Sequence, residues 1–359
     1  MRFRGLTNTM PGVAAAAICA AAALTVSGCS GSTGIGAATS TGTSRPATSA
    51  APAAVSMAEA KAIVATYDRD NQRAIARALN PPYDEKAWQQ VDSEQVLASD
   101  LYDTKDARLT KRKAKPSAFD VRLDAAYGST TVSADGQAPW VLTVGQRGGG
   151  SPSSASPSAG ESAKRTAMSW IRTSAGWRLA ATIAGVDPAT LPPQGTPPAK
   201  LTAAQRQAAA NVVPAVARAV NVGDASTVQN PGPLTEFRKV TSSDGGKGYI
   251  VTPTCRPWGS PVGTNPNTAI TVGTPALRVV RAGTVTLGVL AFDCSLYTEA
   301  TDGGQIQIPS GAAAVEGDDG KPKTTVVRRS SLTVLLSIPD SGKATVLSSD
   351  GDLIIPAGK

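Results

Sequence analysis

The chain has 359 residues, a formal net charge of +8 and no histidine, with 41% hydrophobic and only 4% aromatic residues. That is enough chain for two cores of ordinary size. The missing histidine excludes Ser-His and Cys-His nucleophile pairs, imidazole proton shuttles and every His-containing metal site.

Residues 1–28 read as an export signal, with Arg2 and Arg4 ahead of an uncharged, alanine-dominated stretch over 10–26. The stretch is too short and too weakly apolar for a membrane span. It ends in Leu24-Thr25-Val26-Ser27-Gly28-Cys29, which resembles the bacterial lipobox, where the cysteine thiol receives a diacylglyceryl group and the chain is cut before it. Two acyl chains hold a protein on a bilayer where one would not. Cys29 is therefore the expected lipidation site, and the bilayer the first expected partner. Residues 29–55 follow as Ser, Gly, Thr, Ala and Pro with a single charge, Arg45, the composition of a flexible tether.

The first ordered signal is Ser56-Met57-Ala58-Glu59, a capping box. Ala60, Ile63, Val64, Tyr67, Ala74, Ile75 and Leu79 then recur at helical spacing, and Asn80-Pro81-Pro82 ends the run. A second helix is expected from Asp84 to about Leu101, with Trp88, Val91, Leu97 and Leu101 at looser spacing. The period then becomes two. Phe119, Val121 and Leu123 alternate with Asp120, Arg122 and Asp124, and Trp140, Leu142 and Val144 form a second strand. Residues 168–172 and 177–183 form a hairpin across Ser174-Ala175-Gly176. The Gly/Ser/Pro run over 148–160 reads as a disordered hairpin tip.

Leu191-Pro192-Pro193-Gln194-Gly195-Thr196-Pro197-Pro198 interrupts regular structure, so the boundaries fall at 56–190 for a first α+β domain, 191–200 for a linker and 201–359 for a second. The second half again opens with a capping box, Thr202 and Gln205. An alanine-rich helix to about Val220 follows, which Pro214 is expected to kink or split. Strand-like runs then fall at 248–253, 277–281, 284–292, 325–338 and 344–347. Cys19 leaves with the signal and Cys29 carries lipid, so Cys255 and Cys294 are left as a pair. Outside the cytoplasm such a pair reads as a disulfide.

A long helix with Tyr67, then Asp68-Arg69-Asp70-Asn71, a second helix and a sheet closing on Gly176-Trp177-Arg178-Leu179 resembles the nuclear transport factor 2-like, cystatin-related cone fold. The likeness covers about 57–190, and for the second half it rests on element order. The whole chain resembles an uncharacterised actinobacterial lipoprotein family with a lipobox, a Ser/Thr/Pro tether and paired domains. The resemblance implies two tandem small α+β domains, each an N-terminal helix on a curved antiparallel sheet, but no activity. Some cone-fold relatives are isomerases or dehydratases that use an Asp or an Asp-His pair. Without histidine only a lone carboxylate base is left, with Asp120, Asp124 and Asp293 as candidates.

Lys111, Arg112, Lys113 and Lys115 form the densest charge run and could hold an anionic wall polymer, although a solvated loop is the commoner use. Trp88, Trp140, Trp170 and Trp177 could line a carbohydrate-binding concavity or fill a core, the latter being commoner. Asp302-Gly303-Gly304 and Asp318-Asp319-Gly320 lack the spacing of calcium loops. No nucleotide, kinase or hydrolase motif occurs, so neither cofactor nor metal is expected. The positive excess is thinly spread and argues against nucleic acid. The expectation is a non-catalytic, lipid-anchored envelope protein on the extracytoplasmic face of the membrane, binding or scaffolding an envelope protein or polymer. The alternatives are a small-molecule-binding or carboxylate-base cone-fold enzyme, isomerase- or dehydratase-like, with its pocket in the first domain, and a binder of anionic wall polymer.

Overall fold

The computed structural model describes residues 54–132, 137–147, 165–243, 249–261, 264–265, 268–301, 303–308 and 310–354, which belong to one compact unit. The signal segment, Cys29 and nearly all of the tether lie outside the described residues, as does the whole 148–160 run. The fold is α+β with antiparallel sheets.

Helix α1 (Met57–Ala78) starts at the expected capping box: the Ser56 hydroxyl accepts from the Glu59 N–H at 3.1 Å, and the Glu59 carboxylate accepts from the Ser56 N–H at 2.8 Å. Two of the orphan donors at the helix start are thereby satisfied. The expected second helix is divided. A 3-10 segment (Glu85–Gln90) is followed by α2 (Glu94–Thr110). At the break, Leu179 takes both backbone groups: its N–H donates to the Val91 carbonyl at 3.1 Å, and its carbonyl accepts from the Ser93 N–H at 2.9 Å. A helix through 91–93 would need those groups for itself.

Strands β1 (Val121–Ser129), β2 (Trp140–Arg147), β3 (Arg165–Thr173) and β4 (Gly176–Val186) form an antiparallel meander in chain order. A bulge between Leu123 and Ala125 leaves Asp124 unpaired on β1. The segment after β4 is tied to the sheet: the Tyr127 hydroxyl donates to the Pro192 carbonyl at 2.6 Å and the Gln194 side chain accepts from the Ala126 N–H at 2.7 Å. Its end, β5 (Pro198–Ala199), joins the second sheet.

The second half opens with α3 (Ala203–Asn221), whose capping box at Thr202 and Gln205 is formed and which runs unbroken through Pro214. Helix α4 (Gly232–Ser243), not expected from the sequence, buries Leu234 and Phe237. Strands β6 (Tyr249–Pro257), β7 (Leu277–Ala282), β8 (Val285–Ala300), β9 (Thr325–Ile338) and β10 (Thr345–Asp350) build the second sheet, and a short helix α5 (Ser310–Glu316) lies between β8 and β9. Strand β8 is the spine. One edge pairs with β9; the other carries β7 along 285–290 and β6 along 292–300. Cys255 and Cys294, directly opposed on β6 and β8, are joined by a disulfide.

The layers run helix, sheet, sheet, helix. Helices α1 and α2 cover one face of the first sheet through Ile63, Tyr67, Trp88, Met168 and Trp170. The opposite face, with Tyr127, Trp140, Leu142 and Ile183, packs on Val280, Leu287, Val289 and Leu335 of the second sheet. The far face of that sheet is closed by α3 and α4. The halves are also joined by buried polar contacts. The Gln95 amide donates to the Leu332 carbonyl at 3.2 Å and accepts from the Thr333 hydroxyl at 2.6 Å. Arg278 pairs with Glu94 at 2.8 Å, and Tyr102 donates to Glu316 at 3.1 Å. Among the described residues no helix is long and apolar enough to cross a membrane.

Candidate functional site

The clamp on Leu179 that breaks the second helix also turns one acid inward. Asp92 is only 2% exposed, beneath α1. Its Oδ1 accepts from the Tyr67 hydroxyl at 3.0 Å, and its Oδ2 has no hydrogen-bond partner. Burial raises its pKa from 3.8 to about 7, against the opposing pull of Asp100 and Tyr67 hydrogen bonding and the Arg178 charge. Burial, followed by the charges of Asp92 and Asp100, also holds the Tyr67 phenol well above its ordinary range, while Arg147 opposes. Asp100, half-buried on α2, acts on both groups. The arrangement can keep a proton on a carboxyl near neutral pH.

The space around this acid is filled. The Tyr67 ring meets Phe119 and Trp170 edge-on, with centroids 4.9 and 5.0 Å apart. Trp170 donates its indole N–H to Thr143 at 2.8 Å and Trp88 to Thr104 at 2.7 Å. Trp88 and Trp170 are buried on the helix side of the first sheet and Trp140 between the sheets, whereas Trp177 is half-buried at its rim. These indoles pack as core.

The acids singled out from the sequence sit elsewhere. Asp120 is exposed, and Asp124 is ion-paired with Arg165. Asp293 is held by two guanidinium groups, Arg256 at 2.8 Å and Arg329 at 3.0 Å. None stands in an apolar pocket. Lys111 is the C-cap of α2, where a cation complements the helix dipole. Lys113 and Lys115 follow it, exposed, but Arg112 is folded back on Asp106 at 3.1 Å. The Asp318 carboxylate caps its own turn, accepting from the Gly320 N–H at 2.8 Å and pairing with Lys323. Among the described residues no group of three or more His, Cys, Asp or Glu is placed to hold a metal ion. Cys29 lies outside them.

Sequence reasoning missed Asp92. The one available signal is the loose spacing of Trp88, Val91, Leu97 and Leu101, which marks a broken helix. A crevice of about 260 Å³ in the second half, lined by Ala219, Leu234, Thr235, Arg238 and Val251, is smaller than most ligand sites. No protein-family model matches the chain, and no curated protein matches it.

Proposed function

We propose that the protein is a non-catalytic binding or scaffolding lipoprotein, held on the extracytoplasmic face of the cell membrane through Cys29. The observation that carries this reading is the filled interior of the first half, where, among the described residues, Tyr67, Trp88, Phe119 and Trp170 pack together and leave no cavity beside the buried acid. An acid that is 2% exposed under those rings offers no approach to a reacting molecule. The lipobox-like run ending at Cys29 supports the anchor, and the Cys255–Cys294 disulfide supports an oxidising compartment. The order of capped helix followed by antiparallel strands in both halves supports a tandem of cone-like domains that have packed sheet to sheet.

Growth of the producing cells with labelled palmitate tests the anchor. Label is expected on the parent chain and absent from Cys29→Ser, which should leave the membrane fraction. A parent chain without label would overturn the assignment.

The buried Asp92 favours a second reading, a carboxylate base, more than Asp120, Asp124 or Asp293 does. The closed interior around it weighs against that reading.

A further inference from the structure

The second sheet extends past the first along β6, the C-terminal part of β8 and the N-terminal part of β9, and there one of its faces is open. The pairing is regular along all three strands, so Thr252, Tyr297 and Val327 lie side by side in one row. Residues two positions away share that face. It therefore also carries Ile250, Thr254, Ser295, Glu299, Thr325 and Arg329. The opposite face holds Cys255, Cys294 and Leu296, all buried. On the open face, by contrast, Ile250 is 56%, Tyr297 41% and Val327 60% exposed.

Three features of this face point to one kind of ligand. A partly exposed phenol ring with apolar neighbours is a flat platform, and flat rings stack on the C–H faces of sugars. Around it the hydroxyls of Thr252, Thr254, Ser295 and Thr325 make no side-chain hydrogen bond among the described residues, so they are open to a polyhydroxylated partner. At the inner end Arg256 and Arg329 share the single carboxylate of Asp293, an excess of one positive charge at that end, while Glu299 stands at the opposite end of the face. A protein partner fits less well. Hot spots of protein interfaces are poor in Ser, Thr and Val, which make up most of this face, although Tyr and Arg are common in them. Strand addition at the β6 edge is also blocked: the Asn221 side chain occupies both backbone groups of Cys255, at 2.7 and 3.0 Å, and Pro253, on the same edge, has no N–H to give.

We propose that this face binds an anionic glycan, the ring of Tyr297 stacking on a sugar and the Arg256–Arg329 pair taking its carboxylate or phosphate. The proposal names the partner of the binding protein inferred above and so rests on that reading, but its test does not use the lipid anchor. The purified full chain is titrated with polygalacturonate, with teichoic acid, with neutral dextran and with polyglutamate. Binding to at least one charged glycan and weaker binding to dextran and polyglutamate are expected. Tyr297→Ala should weaken glycan binding by about tenfold. Replacing Lys111, Lys113 and Lys115 together by Ala should leave it unchanged. Polygalacturonate and teichoic acid separate carboxylate from phosphate recognition. Equal binding to polyglutamate, unaltered binding by Tyr297→Ala, loss of binding with the lysine variant, or no binding to either charged glycan at low salt would each overturn the proposal. Failure here alongside palmitate labelling of Cys29 would remove the ligand and leave the anchor standing.

Discussion

Replacing Asp92 by Asn is expected to stabilise the protein at pH 8 by about 3 kcal/mol and to change little at pH 4. The carboxyl has an ordinary pKa of 3.8 and one of about 7 in the fold. The folded chain therefore holds this proton more tightly than the unfolded chain does. Stability from this group is fully present below about pH 4, declines as pH rises from there to about 7, and stays lost above that. The upper limit of the loss is about 4 kcal/mol, because each tenfold difference in proton affinity between the folded and unfolded chains is worth about 1.36 kcal/mol. Asparagine removes the charge and keeps the shape. Its oxygen can still accept from Tyr67, while its amide takes the place of the unpartnered Oδ2, and leaving that buried N–H without a partner takes about 1 kcal/mol from the limit. Urea unfolding of both proteins at pH 4 and pH 8 measures the effect. A variant less stable than the parent at pH 8 would mean that the ionised carboxylate itself supports the fold, contrary to the raised pKa.

Removing the Cys255–Cys294 disulfide as a pair of alanines is expected to lower stability by about 4 kcal/mol on the chain-entropy model. The bond closes a separation of 39 residues that includes β7, and both cysteines are 0% exposed in the core between the second sheet and its helices. Alanine at both positions avoids burying two free thiols or hydroxyls, so the loss reports chiefly the missing link in the unfolded chain. The urea midpoint should fall while the folded far-UV spectrum is kept. An unchanged midpoint would show that the packing of β6 on β8 holds this region without the bond.

Much of the architecture is legible in the residues because it is set locally. The capping boxes at Ser56–Glu59 and Thr202–Gln205 place the starts of α1 and α3 to the residue, since the hydrogen bonds involved span only three positions. Alternation along Phe119–Leu123 marks the start of β1, where one face is wet. The pairing of Cys255 with Cys294 follows from a count. What is not legible is set by distant partners. Helix α4 begins at Gly232, between two prolines, and it is held by Leu234 and Phe237, the latter packed on Gly351, where a Cβ would come within 2.8 Å of its ring. The run that reads as a strand ending at Phe292 continues as β8 through Ala300, because β6 and β9 flank it there. The stacking of the sheets leaves a trace in β2, where Trp140-Val141-Leu142-Thr143-Val144 is buried without alternation because both faces are covered. Asp92 is the clearest case. Nothing in Val91-Asp92-Ser93 announces a buried acid, and only Leu179, far along the chain, puts it there.

The two halves form one four-layer body with an open face along β6, β8 and β9, and the burial of Asp92 and the accessibility of that face, unlike the anchor, depend on this arrangement. Equilibrium unfolding in urea, followed at once by tryptophan fluorescence and by exposure of the second-half disulfide to reductant, tests it directly. Trp88, Trp140, Trp170 and Trp177, four of the five tryptophans, report chiefly the first half, with Trp258→Phe as background to remove the fifth, and Cys255–Cys294 reports the second. The sheet-to-sheet core and the Gln95 and Glu94 contacts predict a single midpoint for both signals. Two separated transitions, with one half folded while the other has opened, would contradict it.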